Sequence, residues 1–129
     1  MNKRLFVYGT LRSGLEHPEA RWLSEHSELI GTATAKGRLF RIGWYPGLVE
    51  AGDETVTGEL LLLDDPAHVL ERLDIYEGVA EGEYVRKEAA INLDGKAISA
   101  WVYYYTGDTS DLRWIPSGDF LQDLNTHFD

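Results

Sequence analysis

Apolar and polar residues alternate along the chain in two rhythms, one of period two and one of about 3.6, and these sketch its elements. Leu5 to Tyr8 is a short apolar run ended by Gly9, the pattern of a buried strand. A loop from Thr10 to His17 follows and meets Pro18. From Pro18 to His26 the chain reads as a helix, with Trp22, Leu23, His26 and then Ile30 at helical spacing. Proline suits its first turn, where the missing N–H would have no partner anyway. Strands are expected around Ile30–Phe40 and Thr55–Leu63, and the breakers in Gly43-Trp44-Tyr45-Pro46-Gly47 mark a loop between them. Asp65-Pro66 opens a second helix with a capping carboxylate and a proline at its first position. That helix should run to about Glu77 and stop at Gly78. Tyr84–Leu93 and Lys96–Tyr105 flank Asp94-Gly95, a two-residue type I′ turn signal. Such a turn sets the register: Tyr84 faces Tyr105, Arg86 faces Tyr103 and Glu88 faces Trp101. A last helix is expected from about Ser117 to His127, capped by Ser117, with Phe120, Leu121, Leu124 and Phe128 as its apolar stripe.

Strands joined by short connections, with three short helices between and after them, indicate an α+β fold. A small, mostly antiparallel β-barrel of about five to six strands with flanking helices would leave no exposed edges. No repeat or Pro-rich linker divides the 129 residues, so residues 1–129 are read as one domain and, at this size, a monomer.

Charge narrows the partners. Twelve Lys and Arg against 22 Asp and Glu leave −10 with His neutral. Nucleic acid and anionic membranes both select for cations, so neither is an expected partner. The chain has no cysteine, which removes disulfides, thiolate metal sites and a cysteine nucleophile. No apolar run approaches the roughly 18 residues of a membrane span, and no signal segment precedes the first strand, so a cytoplasmic protein is expected.

Three constellations carry possible chemistry. In Phe6-Val7-Tyr8-Gly9-Thr10-Leu11-Arg12 a buried strand ends at a glycine. Glycine permits positive φ and close approach to the backbone, and successive N–H groups in such a turn can converge on an anion. Taken alone, the segment is read more simply as an ordinary strand-to-loop turn. Gly9 and Gly14 have the spacing of a phosphate loop, but Leu15 and Glu16 stand where its Lys and Ser/Thr belong, which excludes nucleotide hydrolysis.

The second constellation is Glu77. At about 100° per residue, Val69, Leu70, Leu73 and Tyr76 form one apolar stripe, and Glu77 falls inside it. A carboxylate there is desolvated, and the negative end of the helix dipole also disfavours its charge, so its pKa should rise. A carboxyl tuned upward suits proton transfer near neutral pH. The competing reading is a frayed last turn with Glu77 in solvent.

The third is the hairpin face carrying Tyr84, Arg86, Trp101, Tyr103 and Tyr105. Cross-strand aromatic packing explains most of it. Arg86 needs a carboxylate or a ligand, the candidate carboxylates being Glu88 and Glu77. The run Glu81-Gly82-Glu83 reads as a solvated loop. The four histidines lack metal-ligand spacing, and Ser13 and Ser117 have no evident base, so no metal or cofactor is expected.

Val7-Tyr8-Gly9-Thr10-Leu11, then Leu73-Asp74-Ile75-Tyr76-Glu77-Gly78, then Tyr84-Val85-Arg86, resembles the gamma-glutamylcyclotransferase-like superfamily. The chain looks nearest to its small bacterial members and to the gamma-glutamylamine cyclotransferases. Tyr45-Pro46-Gly47 and Ile115-Pro116-Ser117-Gly118-Asp119-Phe120 are similar to that bacterial group as well, so the likeness spans nearly the whole chain. It implies a small β-barrel with a cavity at one end. It also implies that Tyr8, Gly9, Thr10 and Leu11 bind a gamma-glutamyl group and that Glu77 is the acid/base.

The implied reaction is cyclisation of a gamma-glutamyl compound to 5-oxoproline, releasing an amine or amino acid. Main-chain N–H groups of Gly9, Thr10 and Leu11 would stabilise the oxyanion. Arg12 or Arg86 would hold the α-carboxylate, and Tyr84 would complete the pocket. A non-catalytic module that binds a small acid in the same cavity is the rival reading, and an acyl-group transfer or trimming step is a third.

Overall fold

The computed structural model describes residues 1–126, apart from the side chain of Thr126. Eight strands and three helices follow the order β1 (Arg4–Val7), α1 (Pro18–Glu25), β2 (Ser27–Lys36), β3 (Arg38–Arg41), β4 (Pro46–Val49), β5 (Thr55–Leu63), α2 (Pro66–Tyr76), β6 (Tyr84–Leu93), β7 (Lys96–Tyr105), β8 (Arg113–Trp114) and α3 (Phe120–Thr126). Neighbouring strands run β1-β5-β2-β6-β7, and β7 returns to β1 through a parallel pairing of Leu5 with Trp101. This closes a five-strand mixed barrel. β4 joins β7 in parallel at Leu48 and Tyr104, and β3 and β8 extend from it. The fold is thus the expected α+β barrel with short flanking helices.

Both faces of the barrel wall are packed. Along β1, Phe6 belongs to one apolar cluster with Leu60, Ile91, Val102 and Phe120. Leu5 and Val7 belong to another with Leu23 of α1 and Val69, Leu70 and Leu73 of α2. This explains why β1 reads as a continuous apolar run and not as an alternation.

The hairpin has the expected register, Tyr84 opposite Tyr105 and Arg86 opposite Tyr103. Asp94 and Gly95 have φ of 52° and 83°, as a type I′ turn requires. α2 opens with Asp65, whose carboxylate accepts the His68 N–H, and Pro66 follows. It ends in a Schellman motif: Val79 N–H bonds Asp74 O at 3.0 Å and Gly78 N–H bonds Ile75 O at 3.1 Å. Gly78 takes the left-handed conformation that this motif needs, at φ 67°. Glu77 is thereby fixed as the last residue of an ordered turn, and fraying does not apply.

Several boundaries differ from expectation. The segment Ile30–Phe40 is two strands, because the chain turns at Gly37 (φ 143°) and β3 then pairs with β4. Ile30 lies exposed in β2, since α1 ends at Glu25. Pro46 and Gly47 start β4, so the loop is confined to residues 42–45. α3 begins at Phe120, and its first turn is capped by Asp119, whose carboxylate accepts the N–H groups of Leu121 (3.1 Å) and Gln122 (3.4 Å). Ser117 does not cap it; its hydroxyl accepts the Asp119 N–H instead. His127 and Phe128 lie outside the described residues.

Candidate active site

Because β1 and β7 run parallel, both end at the same mouth of the barrel. The C-terminus of α2, the start of β6 and the loop before β4 converge there. Between them lies a cavity of about 210 Å³. Tyr8, Gly9, Thr10, Leu11, Glu77 and Tyr84 all line it, so the structure brings together most of the residues singled out by sequence. Trp44, Tyr45, Tyr76, Glu83 and Tyr103 also contribute to its wall.

Glu77 has its backbone N–H bonded to Leu73 O at 2.8 Å. One side of its carboxyl opens to the cavity, while the surrounding protein strips it of water. Burial first, then the nearby charge of Glu83, pushes its pKa up from 4.5 to about 8. No hydrogen bond to its carboxyl exists among the described residues.

The tyrosines are occupied elsewhere. Tyr8 donates to Tyr103 O at 2.6 Å and accepts from Leu48 N–H at 3.1 Å, bridging β4 and β7 where they pair. Tyr84 donates to Pro46 O at 2.8 Å, and Tyr103 donates to Asp74 Oδ1 at 2.7 Å. Burial raises all three phenols, so they remain protonated donors near neutral pH. Tyr45 hydrogen-bonds Glu83 at 2.9 Å, and that bond, with burial, pushes it up to about 12. Tyr76 OH sits between Thr10 Oγ1 (3.1 Å) and His17 Nε2 (3.2 Å).

The loop after β1 departs from the expected reason for its glycine. Gly9 does not have positive φ. What it provides is space, since a Cβ there would meet Pro46 Cγ and Cδ at 2.7 and 2.8 Å. Beyond Gly9 the loop turns, with Arg12 N–H bonded to Gly9 O at 3.1 Å. Among the described residues, no hydrogen bond takes up the N–H groups of Gly9, Thr10 or Leu11.

Two expected binding residues lie outside the cavity lining. Arg12 is buried and paired with Asp119 at 2.9 Å, which ties the loop to the start of α3. Arg86 holds Asp74 in two hydrogen bonds, 2.8 and 3.1 Å, and stacks over Trp101 at 4.4 Å. Its partner is therefore neither Glu88 nor Glu77. Sequence reasoning also missed Glu83, since an acidic residue beside a glycine has the signature of any solvated loop. Among the described residues, no group of three or more His, Asp or Glu is placed to hold a metal ion, and no helix is long and apolar enough to cross a membrane.

Removing the Tyr8 hydroxyl deprives two backbone groups of a buried partner. Tyr8→Phe should cost about 1–3 kcal/mol. The urea midpoint would then fall with the slope of the transition unchanged. An unchanged midpoint would mean that the bridge between β4 and β7 contributes nothing.

Fold and site together define a small barrel protein whose mouth holds an acidic, aromatic-walled cavity. Comparison with known proteins sharpens this. The sequence matches the family described as "Gamma-glutamyl cyclotransferase, AIG2-like" over residues 5–122. It is 34% identical over 119 residues to the gamma-glutamylcyclotransferase family protein YtfP of Escherichia coli strain K12, covering 92% of this chain and 96% of that one. The solution structure of E. coli ytfP superposes with a TM-score of 0.67 at 33% identity, over 93% of this chain and 97% of that one. The crystal structure of YkqA from Bacillus subtilis superposes with a TM-score of 0.77 at 27% identity; it spans all of this chain, which covers 44% of YkqA. The chain belongs to the gamma-glutamylcyclotransferase family.

Proposed function

We propose that the protein cyclises a gamma-glutamyl group to 5-oxoproline and releases an amine or amino acid, with Glu77 as general base and then general acid. The observation that carries this reading is a carboxyl raised to about 8 in the same cavity as the Tyr8–Leu11 loop.

The nucleophile is the substrate's own α-amine, so the protein's main task is to fold the chain of the substrate into attack geometry. Near neutral pH that amine is an ammonium ion. Glu77, when ionised, takes one of its protons. The freed nitrogen attacks the γ-carbonyl carbon and forms the ring C–N bond. The oxyanion that results is met by N–H groups of the Gly9–Leu11 segment, whose donors are not used within the described fold. Collapse breaks the old amide C–N bond as Glu77 returns its proton to the departing nitrogen, and the surplus proton on the ring nitrogen then passes to the released amine, which leaves as an ammonium ion. No water is consumed and no cofactor takes part in these steps. Arg12 and Arg86, held by Asp119 and Asp74, act as structural ties around the site.

The test is direct. Incubation with a panel of gamma-glutamyl amides should yield 5-oxoproline and free amine in equal amounts. A purely binding protein would instead show heat of binding and a raised melting temperature with those compounds, and no product. That second outcome would replace the catalytic reading with the binding one.

A further inference from the structure

Three residues from separate elements form one hydrogen-bonded chain beside the cavity. His17 caps α1, Tyr76 is the last residue of α2, and Thr10 lies in the loop after β1. The direction of the chain is set at its outer end. His17 Nδ1 accepts the Glu19 N–H at 3.2 Å, as a helix cap must, because Pro18 between them has no N–H. A ring nitrogen that accepts carries no proton, so the proton of the imidazole is on Nε2. Nε2 therefore donates to the Tyr76 oxygen at 3.2 Å. Tyr76 keeps its own proton, since burial above all raises its phenol. That proton is directed at Thr10 Oγ1, 3.1 Å away. The Thr10 hydroxyl thus receives a hydrogen bond and still has one to give, and among the described residues nothing accepts it. Thr10 and Tyr76 both line the cavity. Trp44 stacks on the His17 ring, with centroids 5.5 Å and planes 21° apart, and fixes the plane in which Nε2 points.

We infer that His17 is a positioning residue for the cyclisation: acting through Tyr76, it commits the Thr10 hydroxyl to donate to the oxyanion beside the Gly9–Leu11 amides. This rests on the cyclotransferase reading and adds to it a side-chain donor and the residue that aims it. A threonine hydroxyl with no partner rotates, and accepts as readily as it donates. Filling its acceptor side in advance removes that choice before substrate arrives, so no reorganisation is needed when negative charge develops. The hydroxyl lends a hydrogen bond and keeps its proton, so the atoms of the reaction balance as before. The oxyanion forms only on the way to product, so the contribution falls on kcat and not on KM. Tyr76 directly precedes Glu77 in the chain, and the same hydrogen bonds therefore hold the acid/base end of the site to the oxyanion loop.

The two tasks of His17 can be separated. His17→Asn keeps an oxygen that caps α1 but has no group at the position of Nε2. His17→Gln brings its amide nitrogen near that position and gives up the cap. The experiment measures kcat and KM for 5-oxoproline release from the fastest gamma-glutamyl amide of the panel above, together with the melting temperature of each variant. Thr10→Val should lower kcat by about a hundredfold, the scale of one lost oxyanion donor. His17→Asn should lower kcat by about tenfold at unchanged KM and melting temperature, the hydroxyl being present but no longer aimed. His17→Gln should melt lower yet recover most of kcat. Tyr76→Phe should match His17→Asn, and combining the two should slow the reaction no further, as links of one chain do. If kcat instead follows the melting temperature, with Gln slower than Asn, His17 is a helix cap alone and the inference falls. Losses confined to KM, or full activity in Thr10→Val, would overturn it as well while leaving cyclisation intact. No 5-oxoproline from the unchanged protein with any amide of the panel would overturn the cyclotransferase reading itself.

Discussion

Glu77→Gln should lower 5-oxoproline release by about a thousandfold, in the range of lost general acid–base catalysis, and should make the protein more stable in alkali. Both effects have one cause. The carboxyl of Glu77 is raised from 4.5 to about 8 in the folded state because ionisation there is done without water and beside Glu83. In the unfolded chain it ionises near its ordinary value. The neutral acid therefore favours folding fully below about pH 4.5. This contribution is lost as pH rises toward 8, and above 8 the folded protein carries an unfavourable buried charge. Glutamine has the same shape and no charge to bury. The two proteins should melt together near pH 4.5 and diverge steadily to pH 9. There the variant leads by about 2–4 kcal/mol, a full shift being worth about 1.4 kcal/mol per pH unit and the open side of Glu77 reducing it. Parallel melting curves across this range would refute the shifted carboxyl.

The rate of the unchanged protein adds a second reading of the same group. A general base works only when ionised, so kcat/KM should rise with pH to an apparent midpoint at about 8. Once the substrate's α-ammonium is bound, its positive charge stabilises the carboxylate. The corresponding limb of kcat should therefore lie at lower pH than that of kcat/KM. Glu77→Gln should lack both limbs. A variant that keeps turnover with the same pH profile would show that another group moves the proton.

What could be read from sequence follows the reach of each signal. The Asp94-Gly95 turn was legible because positive φ at two successive residues admits few residue types, and the register of β6 and β7 follows from it. Asp65-Pro66 and Gly78 bound α2 for equally local reasons, and the helical count then placed Glu77 among apolar neighbours. The closure of the barrel is different. Leu5 meets Trp101 in parallel across most of the chain, and no local pattern encodes that pairing. The rim of the cavity depends on this closure, which is why Trp44, Tyr45 and Glu83 carried no functional signal of their own. The arginines show the converse error. A cation near a suspected site looks like a ligand for substrate until the fold reveals which carboxylate it already holds. For Arg86 that carboxylate, Asp74, sits on α2 one turn before Glu77 and also accepts the Tyr103 hydroxyl. The aromatic strand is thus tied to α2, one turn before the catalytic candidate, by a part-buried network that spacing alone does not reveal.

Gly9→Ala should cost about a hundredfold in kcat/KM, the scale set by displacing a positioning group by about 1 Å. The reason is steric and local. The added Cβ falls 2.7 and 2.8 Å from Pro46 Cγ and Cδ, ring atoms that cannot rotate aside. Either the Thr10–Leu11 amides retreat from the cavity or β4 shifts outward and takes the Tyr84–Pro46 hydrogen bond with it. Because the conflict involves only the proline ring, truncating it should relieve the loss. Pro46→Ala keeps the carbonyl that Tyr84 needs and removes both clashing atoms. In the Gly9→Ala background it should restore most of the activity, although alone it brings no gain. Such non-additivity is the mark of two residues in direct contact. A double variant no better than Gly9→Ala would mean that the glycine serves something other than this close approach. A fully active single variant would remove the loop backbone from the catalytic scheme.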